Sequence, residues 1–125
     1  DNKVKLNSNA TGAPVADAGI LVERGNEADA EILWNETSDV WQIGKVGGAY
    51  NAIARRHAET IGDGSALTYD VFHNFNTKDV TVQIFETNAD YNQIEADVQH
   101  TTDMKVVIKF ASAPTIGEYR VVVVG

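Results

Sequence analysis

Apolar and polar residues alternate with a period of two along most of the second half of the chain. Ile94, Ala96, Val98 and His100 are interleaved with Glu95, Asp97 and Gln99, an in/out alternation that predicts one face of a strand. Met104, Val106, Ile108 and Phe110 alternate with Lys105, Val107 and Lys109, and Tyr119, Val121 and Val123 repeat the pattern before Gly125. Upstream, Tyr69, Val71, His73 and Phe75 form one strand face, and Val80, Val82 and Ile84 form the next. A helix has only one candidate, Tyr50 to Thr60, and it lacks a sustained apolar stripe at i, i+3, i+4, i+7. Turn chemistry separates the runs. Gly62-Asp63-Gly64 breaks the chain, Asn74 to Lys78 reverses it, and Thr87 to Asp90 makes a longer reversal. Thr101-Thr102-Asp103 reads as a hairpin loop, and Pro114 to Gly117 as a turn joining the last two strands. Five or six strands from about residue 51 predict a small antiparallel β-sandwich.

The first fifty residues are organised differently. Asp1 to Ala18 is rich in Asn, Ala, Gly and Ser, with weak alternation at Val4 and Leu6, and Gly19 to Gly25 reads as a short strand bounded by glycines. A hairpin with legible register follows. If Glu36-Thr37-Ser38-Asp39 is its loop, Asn35 faces Val40, Trp34 faces Trp41 and Ile32 faces Ile43. Ile32, Trp34, Trp41 and Ile43 then share one face, with Glu31, Leu33 and Gln42 on the other. Gly44, Gly47 and Gly48 read as a hinge, which divides the chain into residues 1–49 and 50–125. A two- or three-stranded unit of this length is barely stable alone, so its apolar face must be covered, by the second part or by other chains. Those four residues are therefore the candidate oligomer or interdomain core.

Composition narrows the function. Of 125 residues, 43% are hydrophobic and 22% charged, a globular balance, and cysteine is absent, which removes disulfides and thiolate chemistry. No run approaches the ~18–20 apolar residues of a membrane helix, no charged-then-apolar leader reads as a signal peptide, and no membrane insertion is expected. The net charge is −8, and no basic cluster is longer than Arg55-Arg56, so nucleic acid is not an expected partner. The chain opens on Asp1 rather than Met, as expected of a fragment or processed product.

Ala18 to Ile43 runs glycine, apolar strand, Arg24-Gly25, strand, Trp34-Asn35-Glu36, turn, Asp39-Val40-Trp41. This order resembles a segment of the tail fibres and other virion appendages of tailed bacteriophages. Ile61 to Gly125 resembles a C-terminal β domain of the same class of proteins. The matching pieces are Ile61-Gly62-Asp63-Gly64, His73-Asn74 with Asp79-Val80, Phe110-Ala111 with Ala113-Pro114, and Gly117 through Tyr119-Arg120 to the closing valines. The resemblance implies an all-β fibre or adhesin component located in the virion, usually a homotrimer, with residues 1–49 as a β-rich shaft or collar ahead of the sandwich. It carries no catalytic residues.

The remaining chemistry is thin. His57, His73 and His100 have no i, i+2 or i, i+4 partner, so no metal site is expected, and His73 on an apolar face reads as a core histidine bonded to backbone. Gly62-Asp63-Gly64 with Asp70 lacks the spaced acids of a calcium loop and reads as a turn. Asp1, Asp17 and the other scattered acids read as solvated surface. Glycoside hydrolysis needs two carboxylates held ~5–10 Å apart in a cleft, and the acids here alternate outward along strands. Serine chemistry lacks a G-x-S-x-G elbow. No enzyme activity and no cofactor are expected. Trp34, Trp41 and Tyr50 offer a sugar-stacking platform as the competing reading to burial. Loops are better recognition sites, and Asn88, Asp90, Tyr91 and Asn92 place one ring and several hydrogen-bonding groups within five positions. The expected role is to trimerise and present loops to a host-surface glycan or protein. Its alternatives are a connector or decoration protein docking another virion protein, and a carbohydrate-binding module.

Overall fold

Eleven strands make up the regular structure of the described residues, 2–125, of the computed structural model, and no helix occurs among them. Asp1 lies outside the described residues. The chain divides into two units, Asp1–Ile53 and Ala54–Gly125.

In the first unit, β1 (Ala18–Val22), β2 (Ala30–Asn35), β3 (Val40–Lys45) and β4 (Tyr50–Ala52) form an antiparallel meander in the order β1-β2-β3-β4. The β2–β3 hairpin has the register expected from its sequence: Asn35 opposite Val40, Trp34 opposite Trp41, Ile32 opposite Ile43. Its loop closes locally. Asn35 Oδ1 accepts from both the backbone N–H and the hydroxyl of Ser38, each at 2.9 Å, and Asp39 takes a left-handed φ of 53°. The two indoles meet edge to face, with centroids 5.7 Å apart at 65°.

The glycines after β3 make a turn rather than a hinge. Gly48 N–H bonds to Lys45 O at 2.9 Å, Gly47 has a left-handed φ of 75°, and β4 then pairs back on β3, with Tyr50 opposite Gly44. The boundary therefore falls after Ile53, four residues beyond the expected one, because Tyr50–Ala52 gains its hydrogen bonds from the first unit's sheet.

The second unit contains β5 (Arg56–Ile61), β6 (Thr68–Phe72), β7 (Thr81–Glu86), β8 (Gln93–Ile94), β9 (Asp97–Gln99), β10 (Lys105–Lys109) and β11 (Tyr119–Val124). They form two antiparallel sheets, β6-β10-β9 and β5-β11-β7-β8. Both sheets feed one core: Val71, Val106 and Ile108 from the first, Ile61, Ile84, Val121 and Val123 from the second, and Phe75 from a loop. The arrangement is all-β and sandwich-like, and the period-two faces place the right residues inside.

Three local readings change in detail. The alternation from Ile94 to His100 is not one strand. Ile94 pairs with Ile84 in one sheet and Val98 with Ile108 in the other, so the chain changes sheets at Glu95-Ala96 while keeping its apolar side inward. Residues 73–80, and the segment 110–118 whose turn joins the last two strands, likewise carry the chain from one sheet to the other. β6 ends at Phe72, yet His73 and Phe75 are still buried, 4% and 7% exposed.

Candidate functional site

Two regions carry the expected site residues. The first is one face of the β1–β4 sheet. Pairing aligns Ala18, Trp34 and Trp41 in one row, and Ile20, Ile32, Ile43 and Asn51 in the next. Val22 lies across from Ala30, and Ile53, whose N–H bonds to Trp41 O at 2.7 Å, continues the first row. Six of these apolar side chains, Ile20, Val22, Ile32, Trp41, Ile43 and Ile53, remain 42–58% exposed. An open groove of about 550 Å³ lies over the Ile20, Val22, Ile32 and Ile43 part of this face, with Ala30, Gly44, Glu31 and Asn51 completing its lining. Contiguous apolar patches beyond a few hundred Å² are uncommon on monomers and mark interaction surfaces.

All four residues expected to form an association core, Ile32, Trp34, Trp41 and Ile43, thus lie on one face, and the first unit's own strands leave most of that face uncovered. Ile20, Val22 and Ile53 extend it. The first two were legible as the alternate positions of the Gly19–Gly25 strand, whereas Ile53 joins only because β4 folds back on β3. Tyr50 does not join the tryptophans. It stands opposite Gly44 on the other face, where its hydroxyl donates to Glu31 Oε1, and this bond to a carboxylate raises its pKa. With Tyr50 turned away and the indoles at 65° to each other, the three rings form no flat platform for a pyranose.

The second region is the loop between β7 and β8. Asn88 Oδ1 accepts from the backbone N–H groups of Asp90 and Tyr91 at 3.2 and 3.1 Å, and Tyr91 adopts a left-handed φ of 50°. Asn88 Nδ2 and Asn92 Nδ2 both donate to Glu86 Oε2, at 3.0 and 3.2 Å. The Tyr91 ring stacks on Phe85, with centroids 4.9 Å apart at 8°, and is 45% exposed, so one ring face is available to solvent. The structure therefore brings Asn88, Asp90, Tyr91 and Asn92 together, but around Glu86, which sequence reasoning missed. Much of their hydrogen-bonding capacity holds the loop in shape. The alternating position of Glu86 at the end of β7 was the available signal.

Asp63 is a turn residue. Its Oδ1 accepts from Ala66 N–H at 2.7 Å, Ser65 N–H at 2.8 Å and the Tyr69 hydroxyl at 2.9 Å. These bonds, the Ala66 N–H foremost, hold its pKa at about 2, below the ordinary 3.8. Because the folded value lies below the unfolded one, its contribution to stability is complete above pH 3.8 and is lost as pH falls through about 2. A carboxyl ¹³C titration of Asp63 is expected to show a midpoint near 2, and an ordinary midpoint would mean that the turn is not formed. Among the described residues, no group of three or more His, Asp and Glu side chains is placed to hold a metal ion.

No family model, curated protein or solved structure matches the chain.

Proposed function

We propose that the chain is a non-enzymatic structural component of a phage virion fibre or related appendage, which associates with copies of itself through the apolar face of its first unit and presents the loops of its second unit for attachment to a host surface. The observation that carries this reading is the uncovered face of Ile20, Val22, Ile32, Trp41, Ile43 and Ile53, a surface whose burial is favourable and which its own sheet cannot cover. The resemblance of Ala18–Ile43 and Ile61–Gly125 to virion appendage segments supports the class, and supplies the homotrimer and the β-rich shaft as the finer expectation. Docking to another virion protein uses the same face with a different occupant.

Light scattering on dilute protein tests the reading. The expected mass is three times 13.6 kDa, and Ile43→Asp is expected to reduce it to 13.6 kDa with an unchanged β-sheet circular dichroism spectrum, because a carboxylate would have to be desolvated at the contact. A wild-type monomer would overturn self-association.

Attachment is tested separately at Tyr91. Tyr91→Ala removes a half-exposed ring stacked on Phe85, and is expected to lower stability by no more than about 1.5 kcal/mol. It is also expected to reduce adsorption to host cells. Unchanged adsorption would remove this loop from the recognition surface.

A further inference from the structure

His73 is the single buried polar or charged residue of the described chain, and it is under-partnered. Its Nδ1 accepts the backbone N–H of Phe75 at 3.2 Å. A neutral imidazole has one donor and one acceptor nitrogen, so this bond assigns the proton to Nε2. That N–H has no partner among the described residues. The ring is thus held in one tautomer and in one protonation state, because a proton on Nδ1 would point directly at the Phe75 N–H.

The surroundings oppose a second proton. Burial foremost, then like charge from His57 in β5, His100 after β9 and Arg55 just before β5, disfavours the protonated ring. The His57 ring is 3.2 Å from Glu59, and His100 Nδ1 lies 3.0 Å from Lys78 O. Asp70 on β6 and Lys105 on β10 pair with each other, and alternate with the inward-facing Val71 and Val106. The core positions of β7 and β11, namely Val82, Ile84, Val121 and Val123, carry no charge.

Phe75 connects this histidine to the start of β5. Its ring lies 4.9 Å from the His73 ring and carries the Arg55 guanidinium 4.7 Å from its centroid, while its carbonyl accepts from Arg55 Nη2. Arg55 in turn exchanges backbone hydrogen bonds with Gly125 in both directions, at 2.6 and 3.1 Å. Asn74 and Asn76, on either side of Phe75, both have a left-handed φ of 58°, a conformation that asparagine tolerates but does not prefer. The rest of the loop is tied elsewhere: Asn74 N–H donates to Met104 O at 3.0 Å, Thr77 N–H to Asp103 O at 2.9 Å, and His100 Nδ1 lies 3.0 Å from Lys78 O, so His73 and Arg55, the second residue of the second unit, hold the Phe75 part of it.

We propose that His73 is a proton-operated latch: neutral, it holds Phe75 and through it Arg55, and on acidification its protonation releases Phe75 from the core while the loop's bonds to Asp103 and Met104 remain. The latch is a property of the second unit and does not depend on self-association through the first. Protonation breaks the Nδ1 bond to Phe75, places a charge on a buried ring whose neighbour Phe75 already carries the Arg55 guanidinium, and is relieved when the ring reaches water. Its folded pKa lies below the ordinary value of 6.5, so the released state binds the proton more tightly. The closed loop is fully favoured above pH 6.5, and release grows about tenfold per pH unit below it until the closed form itself protonates.

Amide hydrogen exchange followed by NMR between pH 7.5 and 4.5, corrected for intrinsic exchange, reads this directly. The protection factor of Phe75 is expected to fall about tenfold per unit below pH 6.5, while that of Val121 in the core strand falls less. His73→Asn keeps an acceptor at the position of Nδ1 and cannot titrate in this range, so it is expected to abolish the pH dependence. Ring ¹⁵N shifts of the wild-type protein supply a test that needs no variant, with His73 expected as the Nε2–H tautomer at pH 7.5. An Nδ1–H tautomer, a Phe75 protection factor independent of pH, or the same pH dependence in a folded His73→Asn would each overturn the latch.

Discussion

Ile108→Ala is expected to lower the stability of the second unit by about 2–5 kcal/mol, the range for removing a large aliphatic side chain from a site that cannot collapse. Ile108 is fully buried on the central strand of its sheet, opposite Tyr69 on one side and Val98 on the other. Its side chain faces the other sheet's Ile84, Val121 and Val123 within one core. A unit of this size is stable by only about 0.05–0.15 kcal/mol per residue, so the loss is a large part of the total. Both tryptophans belong to the first unit, so their fluorescence does not read this change. Urea denaturation followed through the amide signals of Val106, Val121 and Val123 does. A loss under about 1 kcal/mol would mean that the two sheets close over the gap, and that the core is not packed as described.

Gly62→Ala is the second large effect. Gly62 has a φ of 117°, and a Cβ placed there would stand 2.1 Å from Thr115 O, with the backbone nitrogens of Gly117 and Glu118 next. None of these is the end of a flexible side chain. The Gly62 carbonyl accepts from Gly117 N–H at 3.0 Å, and Gly64 N–H donates to Pro114 O at 2.8 Å, so the turn after β5 and the segment before β11 are stitched backbone to backbone. A methyl group forces them apart as well as straining φ, and the expected loss is about 3 kcal/mol or more. Gly64→Ala supplies the contrast. Gly64 also has a positive φ, 82°, but open space around it, so only the conformational term of about 1–2 kcal/mol applies. Comparing the urea midpoints of the two variants isolates the close approach, and equal midpoints would show that the Thr115 segment yields freely.

Legibility followed the range of the interaction involved. The β2–β3 register was readable because Asn35 and Ser38 close their own loop and the paired indoles are symmetric about it. His73 was readable as a backbone-bonded core histidine because its partner, Phe75, is two residues away. The glycines misled because a turn and a hinge use the same residue: Gly44 lies within β3, Gly47 and Gly48 form the turn after it, and only the return of Tyr50–Ala52 onto β3 distinguishes the two. Asn88 to Asn92 were singled out as one loop, but Glu86, which holds both asparagine amides, belongs to the preceding strand. Tyr50 could not be separated from the tryptophans without knowing which residue of β3 it faces.

By itself, the sequence determined that the chain is built of strands, which side of each strand is apolar, and how the tryptophan hairpin pairs. Side-chain alternation and turn chemistry act over a few residues, and need no knowledge of the rest of the chain. Only the tertiary structure decided that Ile94 and Val98 belong to different sheets, that β11 lies between β5 and β7, and that Gly62 meets Thr115. It also placed the Arg55 guanidinium on the Phe75 ring that lies beside His73. Strand partners far apart in sequence are chosen by the joint packing of two sheets on one core, and the alternation of any single strand is the same whichever partner it takes.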